Sequence, residues 1–410
     1  MPAAAPPDGS FDPGSFRDPA SRVFYRGDDV YRMLSDPAAE DWEALAGTRF
    51  FKEWTEAGRI VGTRPVHEDG RLLLAHDRIP VWTYPYEWSF SMLKAAALLH
   101  LDLLDAALDE GMTIKDATPY NVQFVGADPV FVDVGSFRRY EQGEPWLGYG
   151  QFCRQFLYPL MLRAHAGIDF QPMLRGSLDG ISPAEARAVM RGRRVWRPGV
   201  MMDVVMQARA DRAMADSRRD VRKELGSAGF TADMIKANTT RLRKVLAKTK
   251  WQPTHSTWSD YSECGHVATQ RTIKKSFVTS VAGQRRHHVV WDLGANDGFF
   301  SRLAAGHADS VVSLDSDELV VDRLFQDLIV NGPRNVLPMV FDLSDPSPGL
   351  GWRGQERRPL EARANPDLVL MLAVVHHLVV AGNVPLAEVI DWLRSLDAEV
   401  VFEWVPPDDP

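Results

Sequence analysis

The sequence V-V-W-D-L-G-A-N-D-G-F-F-S at residues 289–301 decides the fold of the C-terminal part of the chain. An apolar run typical of a buried strand leads into a turn that contains Gly294 and Gly298, and a helix is predicted from Phe299. Because glycine has no Cβ, these two positions let the backbone approach a ligand closely. The stretch therefore predicts a strand, a ligand-binding turn and a helix in succession.

Working outward from this stretch, apolar strands alternate with helices to the end of the chain. We predict five strands, at 289–292, 311–315, 336–340, 368–372 and 400–404. Such alternation predicts a parallel, doubly wound sheet, in which ligands bind outside the carboxyl ends of the strands. An acidic residue at the end of the second strand, Asp315, is suited to accept both hydrogen bonds from a ribose diol.

Dinucleotide binding is one reading of a glycine-containing turn followed by an acidic strand end. Its fingerprint is G-x-G-x-x-G, whereas residues 294–298 here give G-x-N-x-G. Asp297, beside the start of the helix, would repel a pyrophosphate but would tolerate a cationic sulfonium and an amino group. The chemistry favours S-adenosylmethionine (SAM) over a dinucleotide.

Residues 292–298 resemble motif I of the class I SAM-dependent methyltransferases, and the resemblance covers about residues 258–410. It implies a Rossmann-like sheet, SAM as cofactor and methyl transfer as activity. By this resemblance Asp315 holds the ribose hydroxyls and Asp342 lies beside the adenine amino group. The residues implied at the cofactor are Asp292, Gly294, Asn296, Gly298, Asp315 and Asp342.

The segment before motif I resembles one that closes over the cofactor in many methyltransferases, with aromatic and basic groups near its carboxylate. Tyr261 and Lys274 are the candidates for this role, and an ordinary helix packed on the sheet is the alternative. For proton transfer, His376, His377 and Glu403 follow the fourth and fifth strands. An imidazole titrates near neutrality and suits a general base, but methyl transfer depends mainly on in-line positioning. The histidine pair alternatively opens the helix after strand four.

A second pattern lies in the N-terminal part, where K-D-A-T-P-Y-N-V at 115–122 is followed by V-F-V-D-V-G at 130–135. Asp116, Asn121 and Asp133 in this layout resemble the catalytic loop and metal-binding Asp of protein-kinase-like phosphotransferases. The resemblance implies Mg-ATP as a ligand of this part. The preceding order of hairpin, helix, two strands and apolar helix follows the same family.

The sequence departs from that family at positions that phosphoryl transfer uses. The turn at Gly27 carries acids that would repel phosphates, Arg32 stands on the strand that should carry the nucleotide-pairing Lys, and Lys115 replaces the usual Arg. We therefore expect this part to bind or present a substrate rather than to transfer phosphate.

Composition bounds the remaining possibilities. The chain has 410 residues, a net charge of −8 and two cysteines. These values disfavour a nucleic-acid or membrane surface and a disulfide framework. No secretory leader is evident, and no uninterrupted apolar run reaches the ~18 residues of a membrane span. We expect a cytoplasmic enzyme with a small-molecule or metabolite substrate, and no metal ligand set is predicted.

The fold class predicted is α/β, with an α+β, kinase-like part and a helical linker before the methyltransferase sheet. We expect a disordered lead-in at 1–20, a kinase-like or substrate domain at 21–195, a basic helical linker at 196–257 and the SAM-binding domain at 258–410. Only five strands can be counted in the last domain. The fifth would leave an apolar edge, so we expect a truncated sheet or an edge capped by other residues.

The predicted function is methyl transfer from SAM to N or O of an unidentified substrate that the N-terminal domain selects. Two alternatives stay open. One is an ATP-dependent phosphotransferase fused to a methyltransferase domain, and the other is a scaffold in which both domains only bind ligands.

Overall fold

The structure is a computed structural model that describes residues 10–215, 230–256 and 267–404. The first two ranges are called the N-terminal part below, and the third the C-terminal part. No helix in these ranges has the length and apolar character that crossing a membrane requires.

The N-terminal part begins with a five-stranded antiparallel sheet in the order β1-β2-β3-β5-β4. Its strands are β1 (Ser10–Phe11), β2 (Ser21–Arg26), β3 (Asp29–Leu34), β4 (Thr63–Glu68) and β5 (Arg71–His76). Gly27 adopts a φ of +57° in the two-residue turn between β2 and β3, a conformation that glycine adopts without strain. Two helices, α1 (Asp36–Gly47) and α2 (Arg49–Glu56), connect β3 to β4.

A long apolar helix, α3 (Phe90–Asp109), forms the centre of the rest of this part, and most of its leucines and alanines are buried. Four short strands follow it in two antiparallel pairs, β6 with β9 and β7 with β8. Their bounds are β6 (Met112–Ile114), β7 (Val122–Val125), β8 (Asp128–Phe131) and β9 (Phe137–Arg139). The succession of hairpin, helices, two strands, apolar helix and paired strands around residues 116–121 is the one that the kinase-like resemblance implies.

Several elements differ from the sequence-based prediction. Residues 10–20, predicted to be disordered, form β1 and a loop that hydrogen bonds within the N-terminal part, because Asp12 and Ser15 supply side-chain acceptors. Between the hairpin and the next two strands, where one helix is predicted, the chain forms α1 and α2, because the Thr48 hydroxyl caps α2 by accepting from the Phe51 amide.

Further helices follow α3, and the two at Tyr158–Ala166 and Ala232–Lys248 pack against it. The further helices are α4 (Tyr149–Phe152), α5 (Tyr158–Ala166), α6 (Gln171–Gly176), α7 (Pro183–Val189), α8 (Gln207–Ala215) and α9 (Ala232–Lys248). Within the range predicted to be a basic linker, α9 buries Leu242 and Leu246. Arg243 of α9 pairs with Asp102 and Asp105 of α3 at 2.9 and 2.6 Å. This helix is therefore packed on the N-terminal part, because its basic face meets acidic residues of α3.

The C-terminal part contains a five-stranded, all-parallel sheet in the order β12-β11-β10-β13-β14. The strands are β10 (His287–Leu293), β11 (Ala308–Asp315), β12 (Val336–Val340), β13 (Leu368–Met371) and β14 (Glu399–Phe402). The helices are α10 (Val267–Ala282), α11 (Phe299–Ala305), α12 (Glu318–Asn331) and α13 (Leu386–Ser395). The order reverses between β10 and β13, which is where such sheets bind ligands. The predicted Rossmann-like fold of the methyltransferase type is confirmed.

The outer edge of β14 is unpaired by any strand of residues 10–215, 230–256 or 267–404. Val401 of this strand is buried, whereas Val400 and Phe402 are half-buried. The strands found here are the five that the sequence predicts. Capping of β14 by a strand of the N-terminal part, one of the two expected arrangements, does not occur within the ranges described.

Candidate functional site

The turn predicted to bind the cofactor lies between β10 and α11, at the carboxyl edge of the sheet. Gly294 and Gly298 have φ values of +67° and +72°, and Asn296 has +48°. A Cβ on Gly298 would lie 2.6 Å from Cδ1 of Leu324 in α12. Glycine is thus required at 298 by both its backbone conformation and the close approach of the neighbouring helix.

Asp315, at the end of β11, is joined directly to this turn. One carboxylate oxygen accepts from the Asn296 amide and the other from the Asp317 amide, each at 2.9 Å. The residue is 8% exposed, and burial raises the pKa of its carboxyl group. No Lys, Arg or His of the described ranges forms an ion pair with it. The Ser316 amide is a third backbone donor to this carboxylate. A carboxylate has about four acceptor sites, so capacity is left for a further donor such as a ribose hydroxyl.

Asp292, also predicted at the cofactor, lies beneath the turn and is only 2% exposed. Its carboxylate accepts from the Ser301 hydroxyl at 2.5 Å, and Ser301 in turn accepts from the Ser313 hydroxyl at 2.7 Å. Burial raises the pKa of Asp292 to about 7. In this structure the side chain joins β10, α11 and β11 below the turn, so it positions the turn rather than facing the cleft.

Asp297 forms a bidentate ion pair with Arg271 of α10, at 2.6 and 2.7 Å. The guanidinium of Arg271 also stacks over the ring of Phe299 at 4.0 Å. This pairing is not evident from the sequence, because the two residues lie on different elements. The negative charge expected beside the helix start is therefore largely compensated by Arg271.

Asp342, expected beside the adenine, lies just beyond the end of β12 and is exposed. Its carboxylate accepts from the amide and the hydroxyl of Ser344 at 2.8 and 2.7 Å. The side chain is held at the carboxyl edge, two strands away from β10. This position is compatible with the role that the resemblance implies.

The histidine pair follows β13 at the same edge of the sheet. The rings of His376 and His377 lie 3.8 Å apart, and Nδ1 of His376 is buried without a hydrogen-bond partner among the described residues. Burial, together with the adjacent His376, lowers the pKa of His377. Ala373, which precedes the pair, has a φ of +56°. Non-glycine residues in this conformation are strained and concentrate at functional sites.

Lys274 and Glu403, predicted separately as a cofactor contact and a catalytic group, pair with each other at 2.7 Å. Lys274 lies on α10 and Glu403 directly follows β14. One oxygen of Glu403, Oε2, is buried without a hydrogen-bond partner in the described ranges. Tyr261, the other predicted contact, lies outside the described residues.

The kinase-like cluster is also brought together, in the N-terminal part. Burial and the neighbouring Asp133 raise the pKa of Asp116. Arg32 of β3 contacts Asp133 at 2.7 Å and the Ser21 hydroxyl at 2.9 Å. Nδ2 of Asn121 is buried and has no hydrogen-bond partner among the residues described.

Mg-ATP, the ligand that the kinase-like resemblance implies, does not fit these residues. The carboxylate that would hold the metal is already neutralised by the guanidinium of Arg32, which would repel a divalent cation at the same oxygens. The structure adds β1 before the predicted hairpin, so the loop between the first two strands, where the resemblance implies the phosphate loop, is 12–20 and not the turn at Gly27. This loop also carries acids, Asp12 and Asp18. More generally, no cluster of three or more His, Cys, Asp or Glu with metal-binding geometry occurs in the described ranges.

In the N-terminal part, the cluster of Asp116, Asn121 and Asp133 does not fit Mg-ATP. In the C-terminal part, a Rossmann-like sheet of the methyltransferase type carries an acidic residue beside a glycine-containing turn. The sequence is 34% identical over 418 residues to the nodulation protein NoeA of Rhizobium meliloti (strain 1021), covering 99% of this chain and 87% of that protein. The chain belongs to the family of that nodulation protein. No protein-family model matches the sequence.

Solved structures are similar over parts of the chain. A SAM-dependent methyltransferase from Aquifex aeolicus is 16% identical, with a TM-score of 0.23 over 33% of this chain and 68% of that one. An rRNA methylase from Streptococcus thermophilus is 16% identical, with a TM-score of 0.21 over 29% of this chain and 61% of its own length. Vaccinia related kinase 3 is 12% identical, with a TM-score of 0.28 over 60% of this chain and 89% of that one.

Proposed function

We propose that the protein is a SAM-dependent methyltransferase that acts on N or O of a small molecule. The observation that carries this proposal is Asp315, a carboxylate buried at the carboxyl edge of the sheet and held only by backbone amides. Leaving a desolvated carboxylate without a cation is costly unless further donors reach it. A ribose diol supplies two such donors at once.

The residues present fit SAM in further respects. The turn at 294–298 brings backbone close to the space above β10, and Asp342 follows β12, two strands away at the same edge. When bound, SAM supplies the methyl group from its sulfonium to the acceptor atom. Arg271 and Lys274 of α10 are already paired, with Asp297 and Glu403 respectively, so they fix α10 against the turn and the end of β14.

Within this proposal, His376 is the residue best placed to take a proton from the acceptor. Its Nδ1 is buried and unpartnered within the ranges described, so it has an unused acceptor or donor position. Glu403 is engaged by Lys274, so we assign it the role of orienting α10 rather than that of a base. The main contribution of the site is alignment of the acceptor with the methyl group.

The N-terminal part is proposed to select the substrate because it borders the same edge. Arg175 of α6 pairs with Asp345 at 2.6 Å, three residues beyond Asp342. Arg163 of α5 pairs at 2.6 Å with Glu318, the first residue of α12. These contacts bring α5 and α6 next to the loops that follow β11 and β12, where an acceptor would enter.

The test is calorimetric titration with S-adenosylhomocysteine. We expect the wild type to bind and Asp315→Ala to bind at least tenfold more weakly, because charge-assisted hydrogen bonds contribute about 1.5–3 kcal/mol each. Asp309→Ala is the matched control, since Asp309 is an exposed residue at the other end of β11 and pairs with Arg286. If Asp315→Ala and Asp309→Ala bind S-adenosylhomocysteine with equal affinity, Asp315 does not contact the cofactor.

A further inference from the structure

The connection between β12 and β13 contains an arginine segment, defined here as residues 350–363. Its sequence, L-G-W-R-G-Q-E-R-R-P-L-E-A-R, includes four arginines. The segment folds back on itself, because Leu350 and Arg357 exchange backbone hydrogen bonds at 2.9 and 3.1 Å. It is therefore a compact, ordered loop that projects from the C-terminal sheet.

One face of the arginine segment lies against loop 12–20 of the N-terminal part, the loop between β1 and β2. Arg17 donates two hydrogen bonds to Glu356, at 2.8 and 3.2 Å. Asp12 pairs with Arg358 at 2.9 Å. A Cβ on Gly14 would lie only 2.8 Å from the Glu356 carbonyl oxygen, so the two backbones are in close contact.

A second face lies against residues 77–88, which lead from β5 to α3. Arg363 pairs with Glu87, and both side chains are almost completely buried, at 3% and 1% exposed. Arg363 also donates to the Trp82 carbonyl oxygen. The amide of Arg358 donates to the Tyr84 hydroxyl at 2.9 Å. Such a buried pair tolerates desolvation only when its hydrogen bonds are satisfied, as they are here.

The third contact reaches the loop that resembles a kinase catalytic loop. The guanidinium of Arg357 lies 4.2 Å from the centroid of the Tyr120 ring, and Tyr120 immediately precedes Asn121. The arginine segment thus touches the loop between β1 and β2, the connection after β5 and the loop before β7. These three elements meet on the arginine segment, and the surface that they present to it is called the kinase-like cleft below.

We propose that the kinase-like cleft is a docking site for the arginine segment of the same chain and does not bind a nucleotide. The chemistry of its walls supports this assignment. Asp12, Glu87, Tyr84 and Tyr120 present carboxylates and aromatic faces, which bind guanidinium groups and disfavour phosphates. The loop that covers phosphates in kinases instead covers Glu356.

Docking has a consequence for the other site. The arginine segment connects β12, which is followed by Asp342, to β13, which is followed by His376 and His377. Because the strands are parallel, the connection leaves β12 at the carboxyl edge, beside Asp342, and enters β13 at the opposite edge. Holding it at three places therefore restricts the loop that follows β12, and through that loop the N-terminal part positions the Asp342 side of the cofactor site.

The experiment is hydrogen exchange on the full chain, read in peptides covering 12–20 and 350–363. In the wild type we expect slow exchange at both, because the amides of Asp12, Arg357 and Arg358 are hydrogen-bonded. Arg363→Gln should raise exchange at least tenfold in both peptides. Arg17→Ala should also raise exchange in both peptides, but less, because the Arg17 side chain is two-thirds exposed. This variant provides the test if Arg363→Gln does not fold.

The matched control is Arg334→Ala. Arg334 pairs with Asp128 across the same two parts of the chain but outside the cleft, at 2.6 Å and with both side chains exposed. It should leave exchange in both peptides unchanged, and calorimetry of the wild type with Mg-ATP should show no binding. Unchanged exchange in both cleft variants, or measurable Mg-ATP binding, would overturn the proposal. Neither readout involves SAM, so a failure here is distinguishable from failure of the methyltransferase assignment.

Discussion

The guanidinium of Arg32 contacts the carboxylate of Asp133 at 2.7 Å, and only 8% of the Arg32 side chain is exposed. Arg32 lies on β3, and Asp133 follows β8, at the position where a kinase-like fold would hold a metal ion. The guanidinium of Arg32 thus occupies the position that a metal ion bound with a nucleotide would take. The pair joins the five-stranded sheet to the rest of the N-terminal part.

We predict that Asp133→Asn lowers the free energy of unfolding by about 3 kcal/mol, because a buried guanidinium loses its countercharge. Arg32→Met should cost a similar amount, and the double variant less than the sum of the two. Urea denaturation of the four proteins measures this coupling. Strictly additive effects would show that the two side chains do not stabilise each other.

Asp116→Asn and Asp133→Asn should both leave the affinity for S-adenosylhomocysteine unchanged, because both residues lie in the N-terminal part, away from the turn at 294–298. Calorimetry measures this directly. The opposing result is Mg-dependent ATP hydrolysis that is present in the wild type and absent from both variants. That result would support the alternative that the protein is an ATP-dependent phosphotransferase.

Gly298→Ala should destabilise the protein by roughly 1–3 kcal/mol, since alanine at φ +72° is strained and its Cβ would collide with Leu324. Gly306→Ala is the matched control from the other end of α11. There φ is −67° and the nearest atom would be 3.9 Å away. We expect the control to be neutral or slightly stabilising. Thermal unfolding of the two variants gives the comparison, and equal midpoints would contradict it.

The buried carboxyl of Asp292 predicts a pH dependence. Its folded-state pKa of about 7 is above the ordinary value of 3.8, so the folded protein retains this proton longer than the unfolded chain does. The contribution of Asp292 to the free energy of unfolding is therefore greatest near pH 4. It falls as the pH rises to about 7, by at most roughly 4 kcal/mol.

Asp292→Asn removes the titrating group and keeps an acceptor for Ser301. The difference in unfolding free energy, wild type minus variant, should decrease between pH 4 and pH 7 and level off above pH 7. Urea titrations at several pH values measure it. A difference that stays constant or increases over this range would exclude a raised pKa at Asp292.

The parallel sheet was predictable because its strands are continuous apolar runs that end in acidic residues or glycine turns. The five predicted strands agree with β10 to β14 within a few residues. Asp315 was predictable for the same reason, since a strand end fixes its place at the carboxyl edge. In the N-terminal part, the apolar periodicity of α3 was sufficient to locate the helix.

Pairings between distant charges were not predictable. Arg271 with Asp297, Lys274 with Glu403 and Arg32 with Asp133 each join different elements. Local periodicity in the sequence does not indicate which distant residue a charged side chain will pair with. The arginine segment shows this most clearly, because its polar sequence has no helical or strand period and its partners lie in distant loops of the N-terminal part. Residues 10–20 were misjudged because their composition is polar, although their side chains are satisfied by specific partners.

The burial of Arg363 against Glu87 has a consequence for how this family can diverge. The two residues are 276 positions apart in the chain, yet neither charge is tolerated in that environment without the other. Substitutions at one position are therefore acceptable only when the other changes as well. In an alignment of related sequences, the residues at positions 87 and 363 should therefore vary together, as a correlated pair that links the two halves of the gene.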